Sequence, residues 1–341
     1  MRQDAVLPIA LGANWLYALP SSEGLLLVDA GPDYPGSWDE LVAQLNVHGY
    51  AVGDVRRVVI THAHVDHAGL AARWQEIGAE VCGSADEVER FGAGMSVGWY
   101  DADLVLRLLD DYGVPEERLG TLRETFPPTQ ERLEAMRREP PEALPSQRWP
   151  GMLWATPFQP DRVLREGDVV AVGERRLRFV STPGHTPGDS VYYEEARGAL
   201  FSGDHLLPRI TSTPGIHFHH HRYEERMRSL PEQARSLERV RALGARQLYP
   251  GHGDATTDVA GVAERTMAHR TKRQQRILRY AQREPSTPYA ILTRLFPHLP
   301  DRRLRQAMAE VVGQIDALVE AGLVEERSED GVVRIAAVAN E

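Results

Sequence analysis

The sequence predicts an α/β fold that carries a helical insertion, and three observations support this prediction. Short apolar runs alternate with segments of helical spacing over most of the first 260 residues, which is typical of helices packed on sheets. His and Asp side chains cluster directly after several of the strand-like runs. A stretch of helical pattern, about residues 91–160, interrupts the alternation.

The N-terminal part begins with a predicted hairpin. Apolar runs at 16–19 and 25–29 flank a turn at 21–24, and such spacing favours paired antiparallel strands. The elements predicted next are a helix at 38–47, a strand at 58–60, a helix at 70–77 and a strand at 79–82. This order indicates strands covered by helices.

The insertion is predicted to be helical. Helices are expected at 101–112, 115–126 and 129–138, separated by Gly and Pro residues that end helices. Aromatic and Met side chains flank these helices. They either pack the insertion on the body of the protein or line a substrate pocket, and the sequence leaves both open; the residues are Trp99, Tyr100, Trp149, Met152, Trp154 and Phe158.

Strand signals return after the insertion, and the character of the chain changes near residue 260. Strands are predicted at 168–172, 176–180, 190–193, 199–201 and 247–249, with a helix at 223–243. Beyond that, three helices are predicted: one at 261–283, one that begins at 288, and one that begins at 304 and is ended by Gly322. A hairpin at 323–325 and 332–335 follows them. We therefore predict two domains, a larger one at 1–260 and a winged-helix domain at 261–341.

Composition restricts the class of protein. Hydrophobic residues make up 42% and charged residues 26% of the chain, which is ordinary for a soluble globular protein. The formal net charge of −10 argues against nucleic-acid binding over the whole surface, because phosphate binding needs clustered cations.

The single cysteine, Cys82, excludes an internal disulfide, favours a reducing compartment and is expected to be a buried, unreactive thiol. The N-terminal residues lack the pattern of a secretory signal, and no apolar run approaches the ~18 residues of a membrane span. We therefore expect a cytoplasmic protein without membrane partners.

The segment Thr61–Gly69 is the strongest chemical signal in the chain. It places His62, His64, Asp66 and His67 directly after the predicted strand at 58–60. Neutral imidazoles and carboxylates are the nitrogen and oxygen ligands that Zn²⁺ prefers. A solvated turn would be an unusual use of four such groups in six positions, so the motif predicts a metal site.

Three later turns repeat the same pattern. His185 lies in a turn defined by Gly and Pro, Asp204 follows the predicted strand at 199–201, and His252 follows the one at 247–249. Rigid turns at strand ends are where α/β folds tend to hold binding groups. The four segments together indicate one site.

These segments resemble the signature motifs of the metallo-β-lactamase fold superfamily over about residues 8–258. The resemblance implies a four-layered αββα sandwich with two divalent metals at one edge. It implies that His62, His64 and His185 hold the first metal, that Asp66, His67 and His252 hold the second, and that Asp204 bridges them. Asp29, at the end of an apolar run, would orient the ligand loop from behind.

The resemblance also implies hydrolytic chemistry. Zn²⁺ is the expected metal, although nitrogen and oxygen ligands also suit Fe and Mn²⁺. A metal-bridged hydroxide would attack the substrate, and Asp66 and Asp204 are the predicted catalytic residues, which orient it and relay its proton. The sequence has no Gly-x-Ser-x-Gly nucleophile motif.

Three functions remain open at this point. The His ligands resemble the glyoxalase II-like branch, which favours hydrolysis of a small thioester or lactone beneath the insertion as a lid. The C-terminal segment resembles the winged helix of lactamase-like-protein-2-like endoribonucleases, which implies cleavage of single-stranded nucleic acid. A metal-bound ligand sensor without enzymatic activity is the third.

The charge distribution bears on the choice of partner. Residues 270–341 contain 12 Arg and Lys against 10 Asp and Glu, which is only faintly basic and does not favour nucleic acid. The predicted winged helix then has a structural role or forms a homodimer.

The sequence leaves the role of a second His cluster open. His217, His219, His220 and His221 could contact substrate anions, bind stray metal or be exposed.

Overall fold

The computed structural model describes residues 5–94, 101–125 and 155–339. A first sheet contains six strands in the order β1 to β6. Strands β1 to β3 are antiparallel neighbours, and β3 to β6 are parallel. The strands are β1 (Leu7–Leu11), β2 (Asn14–Ser21), β3 (Gly24–Val28), β4 (Val55–Val59), β5 (Glu80–Ser84) and β6 (Arg162–Leu164).

A second sheet has five strands in the order β11-β10-β9-β8-β7. Neighbours in this sheet are antiparallel except for β10 and β11, which run in parallel. The strands are β7 (Val169–Val172), β8 (Arg175–Ser181), β9 (Ser190–Glu194), β10 (Ala199–Gly203) and β11 (Gln247–Pro250).

Helices connect and cover the sheets, and a hairpin of β12 (Val324–Glu329) and β13 (Val332–Ala337) closes the chain. The described helices are α1 (Ser37–Val47), α2 (Val65–Ala68), α3 (Ala71–Glu76), α4 (Val88–Ala93), α5 (Ala102–Asp111), α6 (Glu116–Thr125), α7 (Ser229–Ala242), α8 (Val259–Arg283), α9 (Pro288–Leu295) and α10 (Leu304–Glu320).

Three buried layers of side chains produce a four-layered αββα sandwich. Between the sheets, Leu26 and Val59 of the first sheet pack with Phe179 and Phe201 of the second. On the outer faces, helices α1 and α3 bury apolar side chains such as Trp74 against the first sheet, and α7 and α8 do so against the second. Because successive side chains of a strand point to opposite faces, each sheet contributes to two layers. The predicted fold class is confirmed.

The C-terminal helices and hairpin have the predicted order. The Thr287 side chain accepts a hydrogen bond from the Ala290 amide at 3.0 Å, and Pro288 occupies the first turn of α9, where its missing N–H costs nothing. Helix α10 ends before Gly322, which has φ +69°. Whether this unit acts as a winged-helix domain stays a prediction.

The described part of the insertion packs on the C-terminal helices. Leu108 of α5 and Leu119 of α6 share one core with Ile291 of α9 and Met308 of α10. This confirms the helices predicted at 101–112 and 115–126. The helix predicted at 129–138 and the side chains of Trp99, Tyr100, Trp149, Met152 and Trp154 lie outside the described residues.

Phe158 packs against the body of the protein. Its ring centroid lies 4.9 Å from that of Phe91, in the layer between α1, α3 and the first sheet. Of the two interpretations left open for the flanking aromatics, packing therefore holds at this position.

Two differences from the predicted elements have tertiary causes. The helix predicted at 223–243 begins only at Ser229. Upstream, Tyr223–Glu225 form a short 3₁₀ helix and Arg226 is extended. The Arg226 guanidinium donates to both carboxylate oxygens of Asp316 in α10 at 2.7 Å, which ties this segment to α10. Strands β1 and β6 were not predicted, because their sequences are short and their strand character comes from pairing with neighbours.

The single cysteine is buried as predicted, and burial raises the pKa of the Cys82 thiol to about 12, so it is protonated and unreactive near neutral pH. Across the described ranges, no helix is long and apolar enough to cross a membrane.

Candidate metal centre

The first ligand segment follows β4 and turns into the short helix α2. His62 and His64 lie on the loop, while Asp66 and His67 lie within α2. The loop is fixed from the core side, because Asp29 accepts hydrogen bonds from the Thr61 amide at 2.8 Å and the Thr61 hydroxyl at 2.9 Å. The four ligand-type side chains of the motif therefore lie close together.

The other three residues arrive from the second sheet. Strands β8, β10 and β11 run in the same direction, so their carboxyl ends meet at one edge, followed by His185, Asp204 and His252 respectively. Gly184 has φ +147°, and a Cβ there would lie 2.3 Å from the Cβ of Gln233 in α7. Only glycine lets this turn rest against α7.

His62, His64 and His185 form what we call the first half-site. The Nδ1 atom of His64 lies 2.8 Å from Nε2 of His62 and 2.9 Å from Nε2 of His185. Burial, together with the neighbouring imidazoles, lowers the pKa of all three, that of His64 to about 3. Three neutral imidazoles with converging nitrogens are suited to a cation.

Asp66, His67 and His252 form the second half-site. The Oδ2 atom of Asp66 lies 3.3 Å from Nε2 of His252 and 3.7 Å from Nε2 of His67. Burial opposes charge on His67, but Asp66, Asp29 and Asp204 outweigh it and hold its pKa well above the usual range. Burial likewise opposes charge on Asp66, yet the two histidines lower its pKa. This half-site is therefore rich in charge.

Asp204 stands between the half-sites. Its Oδ2 lies 3.6 Å from Nε2 of His185, while its Oδ1 lies 3.5 Å from Nε2 of His67 and 3.4 Å from Nε2 of His252. Among the described residues, the buried Oδ1 has no hydrogen-bond donor. A buried carboxylate oxygen without a donor is costly unless a cation satisfies it, so the carboxylate is suited to a bridging position.

Groups behind the histidines set which ring nitrogen faces inward. The Nδ1–H of His185 donates to the Thr213 carbonyl at 2.8 Å, and that of His252 donates to the Ala13 carbonyl at 2.8 Å. His67 Nδ1 lies 2.8 Å from Oδ2 of Asp29, where the sequence predicted an orienting group. Each Nε2 atom therefore faces the centre, and on His67 and His252, whose pKa values are raised, a bound cation would replace a proton there.

Sequence reasoning missed some of these contacts. Asn14, buried at the start of β2, donates from Nδ2 to the Asp66 carbonyl at 3.0 Å and to Oδ2 of Asp66 at 3.2 Å. An Asn at the start of a strand is not distinctive in a sequence. Backbone carbonyl contacts, such as those of Ala13 and Thr213, cannot be predicted from residue types.

The donor set fits divalent metal. The structure brings all seven predicted residues into two adjoining groups whose ligand atoms lie within 4.8 Å of one another in each group. Five inward-facing imidazoles, two carboxylates and an oxygen without a donor indicate divalent metal binding.

The His217–His221 segment lies beside this centre. His217 is buried, and its Nε2 lies 3.0 Å from the His185 carbonyl, so it supports the ligand turn. His219, His220 and His221 are exposed and line a separate cavity. Within the described ranges they join no group of three metal-ligand side chains. A role for them in substrate binding stays a prediction.

Comparison with known proteins identifies relatives of nearly full length. A probable metallo-hydrolase, YqjP, from Bacillus subtilis is 25% identical over 316 residues, which is 91% of this chain and 89% of that protein. A metallo-beta-lactamase family protein from Thermus thermophilus is similar in structure, with a TM-score of 0.75 and 28% identity over 98% of both chains.

Two relatives named as thioesterases match shorter parts. The acyl-coenzyme A thioesterase MBLAC2 of Gallus gallus is 42% identical over 48 residues, 14% of this chain and 17% of that protein. The atrochrysone carboxyl ACP thioesterase of Aspergillus fumigatus is 26% identical over 124 residues, 36% of this chain and 35% of that protein.

The relatives support a metal-dependent hydrolase. A family model described as metallo-beta-lactamase superfamily matches residues 10–252, a span that contains all seven residues of the centre and both sheets except the start of β1. The chain belongs to the metallo-beta-lactamase superfamily.

Proposed function

We propose that this protein is a dinuclear metal-dependent hydrolase that cleaves a small ester-like substrate, with a thioester preferred to a lactone. The observation that carries this proposal is the Asp204 carboxylate, which faces both half-sites and has a buried oxygen without a donor. The two relatives named as thioesterases favour the thioester.

The ions, when bound, lower the pKa of water and polarise the carbonyl group of the substrate. Asp66 and Asp204 are the proposed catalytic residues, which orient the water and hold its proton. Asn14 fixes the Asp66 carboxylate through the 3.2 Å hydrogen bond to Oδ2. Hydrolysis forms a C–O bond and breaks the C–S bond, and the proton taken from water leaves on the thiol.

Two zinc ions per chain are the proposed cofactor, with Fe and Mn²⁺ as alternatives that the same ligands accept. Elemental analysis of the purified protein tests both number and identity.

The test of the mechanism is the double variant His64→Ala/Asp204→Ala. We expect it to lose turnover of an acyl thioester and to keep the far-UV circular dichroism of the wild type. The matched control, His298→Ala/Asp39→Ala, changes the same residue types at exposed positions. Full activity in the first variant would contradict the dinuclear mechanism.

A substrate panel separates the alternatives. Cleavage or tight binding of single-stranded RNA would favour the endoribonuclease or phosphodiesterase alternative. Binding of metal without turnover of any thioester, lactone or phosphodiester would favour the sensor.

We further propose a domain boundary near residue 260, a lid formed by the insertion and a cytoplasmic location. We propose that the C-terminal region has a structural role or forms a dimer.

A further inference from the structure

A large cleft lies between the C-terminal helices and the loop that leaves Asp204. Its volume is about 650 Å³. Loop residues 207–213 form one wall, and α8, the segment after α9 and the start of α10 form the others. The metal centre contributes no residue to this lining, so the cleft is a separate site.

The lining of the cleft is basic. It includes five basic side chains and one acidic one, Glu310; the basic ones are Arg209, Arg265, His269, Arg273 and Arg303. Arg209 and Arg265 pair with Asp254 and Asp258 at exposed positions. Such exposed pairs are weak, so an anionic ligand can compete for these guanidinium groups.

Arg273 carries the most specific signal. Its guanidinium lies over the Phe296 ring, 4.9 Å from the centroid, and its Nη2 lies 3.5 Å from Nε2 of His269. Its Nη1 is buried and finds no acceptor in the part of the chain that the structure describes. A buried N–H of a charged group without an acceptor is costly, and a phosphate oxygen in the cleft would satisfy it once the guanidinium turned toward the ligand.

Apolar groups complete the cleft. Phe296, Leu299 and Val262 line it, and Ile210 at its edge is 48% exposed. Cations beside apolar surface suit a ligand that combines phosphate with a flat ring, as a nucleotide does.

The cleft is joined to the metal centre through one loop. Asp204 precedes this loop, and at its other end the Thr213 carbonyl accepts the hydrogen bond from His185. The Thr213 hydroxyl in turn accepts a hydrogen bond from Gln306 of α10 at 3.4 Å. A ligand in the cleft would therefore contact the loop that connects Asp204 to the carbonyl group supporting His185.

We propose that this cleft binds the phosphorylated nucleotide end of the carrier in an acyl thioester, as in coenzyme A. The proposal rests on the proposed thioester hydrolysis and deepens it, because it names the class of thiol that leaves. Arg273 and Arg303 are the proposed phosphate-binding residues.

Binding is tested by calorimetric titration of coenzyme A into the metal-loaded protein. We expect Arg273→Gln and Arg303→Gln each to weaken binding about 10-fold or more, since each removes hydrogen bonds to a charged group. Arg303 is exposed, so its variant stays informative if Arg273→Gln perturbs packing on Phe296. Arg279→Gln, on the same helix as Arg273 but outside the lining, is the matched control.

Kinetics separates the cleft from the chemistry. For the two variants, the ratio of kcat/KM for acetyl-coenzyme A to kcat/KM for acetyl-N-acetylcysteamine should fall about 10-fold. If both thioesters are hydrolysed and the ratio is unchanged, the cleft proposal is wrong and the proposed function stands.

Two further outcomes are decisive. Coenzyme A binding that is lost in the variants, without hydrolysis of any thioester, would support the cleft and contradict the thioesterase. If single-stranded RNA binds more tightly than coenzyme A, and if its binding is lost in the same variants, the cleft binds nucleic acid and the proposal of a coenzyme A-like carrier is wrong.

Discussion

The two half-sites use the same imidazole chemistry in opposite electrostatic settings. In the first, His62, His64 and His185 have lowered pKa values, because burial disfavours their charged forms. In the second, the carboxylates outweigh burial and raise the pKa values of His67 and His252.

The difference in pKa arises from the groups that neighbour each ring. The orienting partners of the first half-site include the Thr61 hydroxyl and the Thr213 carbonyl, which are uncharged. The second contains Asp66 and is supported by Asp29. A cation in the first half-site would thus meet three neutral imidazoles and the shared Asp204, whereas one in the second would meet Asp66 in addition to Asp204, so the two should differ in affinity and in their response to mutation.

The largest effect in this comparison is expected from Asp29→Asn. The two Thr61 donors should keep the amide oxygen at Oδ1, so the amide NH₂ would face His67 Nδ1 and favour the tautomer with Nε2 protonated. We expect metal affinity of the second half-site to fall roughly 10- to 100-fold, with the first little changed.

Titration of the metal-free protein with Zn²⁺ against a competing chelator measures both affinities. Asp39→Asn, an exposed change on α1, is the control. Equal loss at the two half-sites would mean that Asp29 supports the whole loop and not one half.

Gly251→Ala should damage the second half-site through packing. A Cβ there would lie 2.5 Å from Cε1 of His67 and 3.1 Å from Oδ1 of Asp204, and Asp29 prevents His67 from moving away. We expect a loss of roughly 1–3 kcal/mol in unfolding free energy and less metal bound per chain.

Thermal denaturation and elemental analysis check this prediction. Gly53→Ala places a Cβ in open space and should leave both measurements unchanged. Wild-type stability and metal content in Gly251→Ala would show that the ligand turn is adaptable.

The smallest effect concerns a buried carboxyl outside both half-sites. Burial raises the pKa of Glu87, even though Arg90 and the Gly188 amide oppose the shift. A raised folded-state pKa contributes stability below the ordinary glutamate pKa that is lost as the pH rises through the folded value. Glu87→Gln should therefore raise Tm near pH 8 by on the order of 1–2 °C and change it little near pH 4.

Melting curves at the two pH values test the sign. Glu76→Gln, exposed on α3, should show no pH-dependent gain. A Glu87→Gln variant that is less stable at pH 8 would mean that its charge is needed there, as the charges of Asp66 and Asp204 are in the centre.

Much of the fold could be read along the chain, because helix and strand periods are local properties. The runs at 25–29 and 58–60 became β3 and β4, and the Thr287–Pro288 signal became the start of α9. The late start of α7 could not be read, since the ion pair of Arg226 with Asp316 spans 90 residues. Strand β6 is defined by its pairing with β5.

The sequence by itself determined the superfamily and the seven residues of the candidate centre, because rigid turns after strands carry recognisable ligand-type side chains. Only the tertiary structure decided which of these histidines have lowered and which have raised pKa values, since the pKa of an imidazole depends on burial and on charges distant in sequence. It also decided the basic cleft, whose Arg273 and Arg209 come together only when α8 packs beside the loop after Asp204.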